Sequence, residues 1–422
     1  MSARDGVSRY ESVYPWIEPL DLGHYPNCTV YGPPTEVPIC RNTLDESLEH
    51  PLGSDSLGAL VERRKAKKVL VIVDDISRPT PQKEMLARIL PVFEEHGIPR
   101  RNLTILVALG LHRAMTRGEC ENRYGSEVAS NYTIVNHDAC DEGTLVSIGT
   151  TRAGVDVTVN RLLTEADFIL GLGQIAPHRV VGFSGGAKIV MPGVCGKRIV
   201  SQLHWQGWTT NSRDIFAVPN NPVRDEINAI GDLAKLDFVV NVVMEGTEVI
   251  RYYSGNHLEV FRQASGDILR AYSVPIPPSD VVVVEAYPYD LDMQQAAKAV
   301  CTGELVVKPG GTVILLSSCP DGWHVNFPEL LKTGYLPYSQ VVERVGRNQM
   351  DQAIGCHLAA FGRVLQTGRV CVVSNHLRKE DIQRMNLVPA SSLREALERE
   401  LQRFGRDASI SIIRESAKII PV

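Results

Sequence analysis

The chain has no cysteine pair spaced as CxxC and no even complement of cysteines; nine are scattered over 422 residues. That argues against a disulfide-stapled scaffold and a zinc knuckle, and suits reduced thiols in the cytoplasm. No run approaches the roughly 20 apolar residues that a membrane span needs. The opening residues, MSARDGVSRYESVYPW, lack the apolar stretch of a secretory signal. Positive charge is not in excess either. The formal net charge is −5, so no strong basic field is offered to nucleic acid. ERRKAKK, Glu62 to Lys68, is the one dense basic run and reads as a solvated helix end. Internal repeats and low-complexity segments are missing too. What is there is an ordinary globular composition, 44% hydrophobic and 22% charged, long enough for two or three domains.

Punctuation along the chain points to alternating strands and helices. The first 60 residues, rich in Pro, Gly and Asp, have weak periodicity and are expected to wrap a domain surface. KKVLVIVDD, Lys67 to Asp75, is a short β-branched run of the kind buried in parallel sheets. Pro81 to Gly97 starts at proline and stops at glycine, as helices do, and Pro91 inside it predicts a kink. Asn102 to His112 is the next strand and completes a βαβ unit. A helix at Arg117 to Gly125, a strand at Tyr132 to His137, and a strand, short helix and strand over Val155 to Gly173 continue the alternation. Leu236 to Glu245 reads as a hairpin partner and His257 to Val274 as a helix. IPPSD, Ile276 to Asp280, breaks the chain, and a fresh strand–helix cycle follows through Asn375. The closing ASISIIRESAKIIPV is expected to return to the first domain. The expected fold is α/β: two α/β domains with mostly parallel, Rossmann-like sheets and the active site in the interdomain cleft. Residues 1–273 plus 388–422 would form the N-terminal domain, and 274–387 a smaller C-terminal one.

Ligands bind outside the carboxyl ends of parallel strands, and polar clusters stand at several such ends. DDISRPTP, Asp74 to Pro81, offers Arg78 for bidentate capture of a carboxylate or phosphate, with Asp75 and Ser77 for hydroxyls. The plainer reading is a helix N-cap beside an exposed arginine. GLHR brings His112, either a general base or a structural histidine. PHRVVGFSGGAK brings His178, then Ser184, Gly185 and Gly186, whose backbone N–H groups suit a phosphate. Lys188 follows, an amine able to pair with an anion or bond to a cofactor. The spacing is not that of a Walker loop, and GLG at Gly171 to Gly173 opens a dinucleotide fingerprint without its third glycine. QQAAK sets Gln295 and Lys298 three apart on one helix face. SSCPDGWH, Ser317 to His324, contains an Asp-Gly turn at a strand end.

Taken in order, DDxSRPTP, GxHR, PHxxxGFSGGxKxxxPG, a histidine sixteen residues after the lysine, and QxxK resemble the lactate racemase family. The resemblance runs from about Val69 to the C-terminus and is dense between Asp74 and His204. It implies a racemase or epimerase of 2-hydroxy acids. It also implies a nickel-pincer nucleotide, pyridinium-3,5-bisthiocarboxylic acid mononucleotide nickel, supplied by separate cofactor-synthesis enzymes. On this resemblance Lys188 attaches the cofactor covalently, His204 ligates nickel, and His112 and His178 are the catalytic histidines. Arg78 holds the substrate carboxylate. Asp75, Ser77, Ser184, Gly185 and Gly186 contact the cofactor from the N-terminal domain. Gln295, against the cofactor, and Lys298, among the catalytic residues, reach across from the second domain. The implied chemistry moves hydride from C2 to the pincer pyridinium while one histidine takes the hydroxyl proton. Hydride returned to the other face, with a proton from the second histidine, gives the other stereoisomer. This avoids removing the weakly acidic C2 proton.

Three positions depart from the family pattern: Ala187 where an arginine is expected, Gln294 where a tyrosine is, and Ala353 where a tryptophan is. Losing two aromatic walls points to a longer 2-hydroxy acid or a sugar acid rather than lactate. Two other readings compete. A nicotinamide-dependent oxidoreductase of hydroxy acids needs a full glycine fingerprint followed by an acidic residue, which is missing. A non-catalytic binder of acidic metabolites predicts loss of Lys188, His204, His112 or His178, and all four are present. No nucleic-acid or membrane partner is expected.

Overall fold

The computed structural model describes residues 8–34, 39–323 and 330–422. The chain divides into two compact units. One comprises Pro38–Gly207 with Asp214–Arg270; the other gathers Met1–Val37, Trp208–Arg213 and Ala271–Val422.

In the first unit the Val69–Asp74 strand is buried along its whole length, as VLVIVD predicts. It pairs in parallel with Leu103–Ala108 on one side and Phe168–Gln174 on the other. Thr133–Asn136 and Phe238–Glu245 extend the sheet in parallel. Glu248–Gly255 closes one edge antiparallel, after a turn at Gly246 with φ +60°, so the expected hairpin forms. The Gln82–Glu95 helix buries Met85, Leu86, Ile89, Leu90 and Phe93 at helical spacing. Phe93 meets Phe168 edge-on at 5.7 Å. Each such side chain contributes about 1.5–3 kcal/mol by leaving water. The helix runs on through Pro91. Asp156–Asn160 stays out of the main sheet and forms a separate antiparallel ribbon with Leu145–Thr150.

Strand order positions the site. From Val69–Asp74 the chain winds outward through Leu103–Ala108 to Thr133–Asn136. It then returns to Phe168–Gln174, beside the first strand, and winds the other way. The two central strands mark a topological switch point, where the loops at their carboxyl ends diverge and leave a crevice.

The second unit holds a wholly parallel six-stranded sheet in the order Val388–Ala390, Arg369–Val373, Val307–Leu316, Ser279–Glu285, Ile410–Ile413, Cys28–Tyr31. The expected division, 1–273 plus 388–422 against 274–387, differs from this at both ends. Ile410–Ile413 is buried along its length, so the backbone N–H and C=O groups on both of its edges need partner strands. It finds Ser279–Glu285 and Cys28–Tyr31. The described part of the first 60 residues is likewise more than a surface wrap. Tyr10, Tyr14, Ile17, Leu20 and Tyr25 join the core of this sheet, and Tyr10 and Ser12 donate hydrogen bonds to the buried Glu285 carboxylate at 2.6 and 2.7 Å. Sparse aromatics among prolines gave no periodic signal for that core. Of the SSCPDGWH cluster, His324 lies outside the described residues. Among the described residues no helix is long and apolar enough to cross a membrane.

Candidate active site

The Val69–Asp74 strand ends in two carboxylates with separate tasks. Asp74 turns inward. Its Oδ1 accepts from Gln82 Nε2 and Arg123 Nη2, each at 2.9 Å, and its Oδ2 accepts from the Thr80 hydroxyl and, at 3.3 Å, the Gln174 N–H. The last bond spans the switch point. Burial raises the Asp74 carboxyl pKa against the opposing pull of Arg123 and these donors. Asp74 is thus a knot that fixes where Asp75 leaves the strand.

Asp75 faces the crevice loops. Its Oδ1 accepts the Ser77 N–H at 3.1 Å and the Ser77 hydroxyl at 2.6 Å, and its Oδ2 lies 2.7 Å from His112 Nδ1. Burial alone would raise its pKa. The bond to His112, that ring's charge, Ser77 and Arg78 outweigh it and hold the carboxyl well below its ordinary range. An ionised carboxylate only accepts, so in the neutral ring Nδ1 carries the His112 proton and Nε2 presents its lone pair. The resemblance gave Asp75 and Ser77 to the cofactor. Here they spend these hydrogen bonds on each other and on His112. The GLHR loop is held from behind: Gly110, φ +55°, donates its N–H to the Gly193 carbonyl at 2.9 Å.

His178 stands on a two-residue ladder, Pro177–His178 against Gly182–Phe183. Its Nδ1 accepts the Val180 N–H at 3.2 Å, which puts the ring proton on Nε2 in the neutral form. The two histidines therefore present opposite faces of acid–base chemistry, a lone pair on one and an N–H on the other.

In the SGGAK turn, the Ser184 and Gly186 N–H groups have partners within the protein. The Ser184 N–H donates to the Ala176 carbonyl at 2.8 Å, its hydroxyl accepts the Ala176 N–H at 2.8 Å, and the Gly186 N–H donates to Asn241 Oδ1 at 2.7 Å. These donors are consumed in locking the turn, because a buried N–H without a partner is costly. Asn241 was not singled out from the sequence. Its signal was a lone amide inside FVVNVVM. Ala187 is fully buried, and a Cβ on Gly231 would lie 2.4 Å from its own. The small side chain lets the Gly231 backbone pack close against it.

Lys188 follows on the Gly186–Ile189 turn. No carboxylate pairs with it among the described residues. Burial, then the charges of Arg78 and Arg224, bring its pKa down to about 7 against the pull of Asp75. His204, on the Lys197–Thr209 helix, has a buried Nε2 with no hydrogen-bond partner. Burial, then Lys188 and His112, take its pKa down to about 3. A histidine so depressed resists protonation when folded but binds a proton near 6.5 when unfolded. The unfolded chain therefore binds more protons between these values, and stability falls as pH drops from about 6.5 to 3. We expect His204→Gln to flatten this part of the urea-unfolding pH profile.

Gln295 and Lys298 stand on the Met293–Val306 helix of the other unit. Lys298 Nζ donates to Gln295 Oε1 at 2.7 Å and lies 3.7 Å from the centre of the Tyr289 ring. The pairing expected from their spacing is present. Their helix follows the switch point of that sheet, between Ser279–Glu285 and Ile410–Ile413.

Comparison with known proteins agrees across both units. The lactate racemase N-terminal domain family matches residues 26–215, and the lactate racemase C-terminal domain family matches residues 274–421. The chain is 29% identical over 397 residues to a lactate racemase of Lactiplantibacillus plantarum, covering 90% of each. It is 27% identical over 387 residues to one of Thermoanaerobacterium thermosaccharolyticum, again covering 90% of each. The solved lactate racemase apoprotein of the latter organism superposes with a TM-score of 0.83 at 26% identity, covering 90% of this chain and 91% of that one. A Thermotoga maritima protein with a TM-score of 0.68, at 22% identity over 87% of this chain and 96% of that one, shares the fold. The chain belongs to the lactate racemase family, a family of isomerases.

Proposed function

We propose that the protein interconverts the stereoisomers of a 2-hydroxy acid other than lactate, with a nickel-pincer nucleotide held on Lys188. The observation that carries this reading is the Asp75–His112 pair, a base oriented by a buried carboxylate, at the switch point that also carries Lys188 and His204.

The residues fit the cofactor. An amine with a pKa of about 7 is nucleophilic at neutral pH. His204 Nε2 is an orphaned buried imidazole nitrogen, a donor type that suits nickel. Among the described residues no group of three or more His, Cys, Asp or Glu side chains is placed to hold a metal ion. A metal on His204 therefore needs other donors, and the thio arms of a pincer ligand are of that kind. When bound, the nucleotide supplies a reversible hydride acceptor.

The protein's own residues do the rest. Arg78 holds the substrate carboxylate while the central carbon reorients. His112 Nε2 takes the hydroxyl proton, and the Asp75 charge stabilises the resulting imidazolium. His178 delivers a proton when the opposite stereoisomer forms. On the resemblance, Gln295 is assigned to the cofactor and Lys298 to catalysis. The tyrosine missing at Gln294 favours a substrate bulkier or more polar than lactate. All nine cysteines are free thiols, which suits a cytoplasmic enzyme.

A panel of chiral 2-hydroxy acids followed by circular dichroism tests the reading. Protein co-produced with the cofactor-synthesis enzymes is expected to erase the signal of both enantiomers of at least one acid. Longer acids should be consumed faster than lactate. Turnover by protein made without those enzymes would overturn the proposal.

A further inference from the structure

Arg224, on the Pro222–Leu233 helix, is fully buried, and the chemistry above leaves it unused. No carboxylate pairs with it among the described residues, and burial alone brings its pKa down, to about 9. A buried guanidinium without a counter-charge is costly, so its retention calls for a reason.

Its bonds go largely to one loop. Nη1 donates to the Gly185 carbonyl at 3.0 Å and more weakly to that of Phe183 at 3.5 Å. Nε donates to Asn228 Oδ1 at 2.9 Å, one turn along the same helix, and the guanidinium lies 3.5 Å from the centre of the Phe261 ring. Gly186 has φ +56°, and a Cβ there would lie 2.6 Å from Arg224 Nη2 and 2.9 Å from the His257 carbonyl. Gly186 is thus shaped around this head group, while Gly185 offers it a carbonyl. The Gly185 carbonyl also accepts the Lys188 N–H at 3.2 Å, so a single oxygen is shared by Arg224 and the backbone of Lys188.

We propose that Arg224 is a positioning residue for Lys188: by holding the Gly185 carbonyl, it fixes the backbone from which the attaching amine projects. This rests on the attachment to Lys188 proposed above. A lysine at 224 would keep the charge but not the fork that serves two acceptors at once. A methionine would keep only the packing.

The test pairs two measurements on wild type, Arg224→Lys and Arg224→Met. In cofactor-free protein, amide hydrogen exchange at Gly186 to Lys188 is expected to rise about tenfold in both variants, while Val69–Asp74 and Phe168–Gln174 exchange as in wild type. In chains co-produced with the cofactor-synthesis enzymes, the intact-mass fraction carrying the Lys188 adduct is expected to fall about tenfold. Should both variants melt early, Asn228→Ala, which removes only the Nε partner, is expected to move the two readouts together to a smaller extent. Wild-type exchange at Gly186 to Lys188 in these variants would overturn the proposal. So would full adduct in Arg224→Met at an unchanged melting temperature, since packing alone would then suffice. Absence of adduct in wild type would overturn the attachment reading instead, and the exchange measurement would still decide for or against the clamp.

Discussion

Asp75→Asn is expected to lower turnover by about 10^3- to 10^4-fold while leaving the covalent adduct in place. The carboxylate accepts from His112 Nδ1 at 2.7 Å and from two donors of Ser77. Asparagine matches its shape but can satisfy only part of this pattern. With the amide nitrogen toward His112, Nδ1 must become an acceptor. The ring proton then moves to Nε2, where a base needs its lone pair. With the amide oxygen toward His112, the Ser77 N–H loses its acceptor and the imidazolium formed in the reaction loses its counter-charge. Either outcome raises the barrier by about 4–5.5 kcal/mol at the stated loss. Circular dichroism of substrate consumption measures it, with intact mass as the control for loading. Turnover above a tenth of wild type would mean that something other than Asp75 orients His112.

Lys188→Ala is expected to remove both the covalent mass gain and all measurable racemisation after gel filtration. The argument is one of protonation and proximity. With a pKa of about 7, roughly half of the Lys188 amines are free at neutral pH. An amine at the ordinary 10.5 would have only about one in three thousand free. Once attached, the cofactor cannot diffuse away, and tethering of this sort is worth effective concentrations of about 10^5 M or more. Nickel content should fall together with the adduct. A Lys188→Ala protein that kept both nickel and activity would show that His204 and the loop contacts hold the cofactor without a covalent bond.

Legibility in the sequence followed locality. The run VLVIVD and the helix after it could be read directly, because a buried strand and an amphipathic helix each carry their pattern within a few residues. His112 and Lys188 stood out as reactive groups at a strand end or beside glycine, whereas His204, inside a helix, was reached through the family resemblance. The Asp75–His112 bond joins residues 37 apart, and no spacing rule announces such a pair. Arg224, in NPVRDEIN, looks like any exposed helix arginine until the Gly185 carbonyl is found beside it. The domain division failed for the same reason: Cys28–Tyr31 and Ile410–Ile413 are neighbours only in the sheet.

That last pairing has a consequence for synthesis on the ribosome. The strand near the start of the chain waits for a partner that emerges roughly 380 residues later, about 20–75 s at 5–20 residues per second. Meanwhile the whole of Pro38–Gly207 can be made and folded, and Val281, Val283, Ile314 and Leu316, core partners of Tyr10, Tyr14 and Ile17, emerge before Ile410 does. A nascent chain stalled before Ile410 therefore holds Cys28–Tyr31 without its neighbour in the sheet, while Tyr10 and Ser12 already have the Glu285 carboxylate to bond.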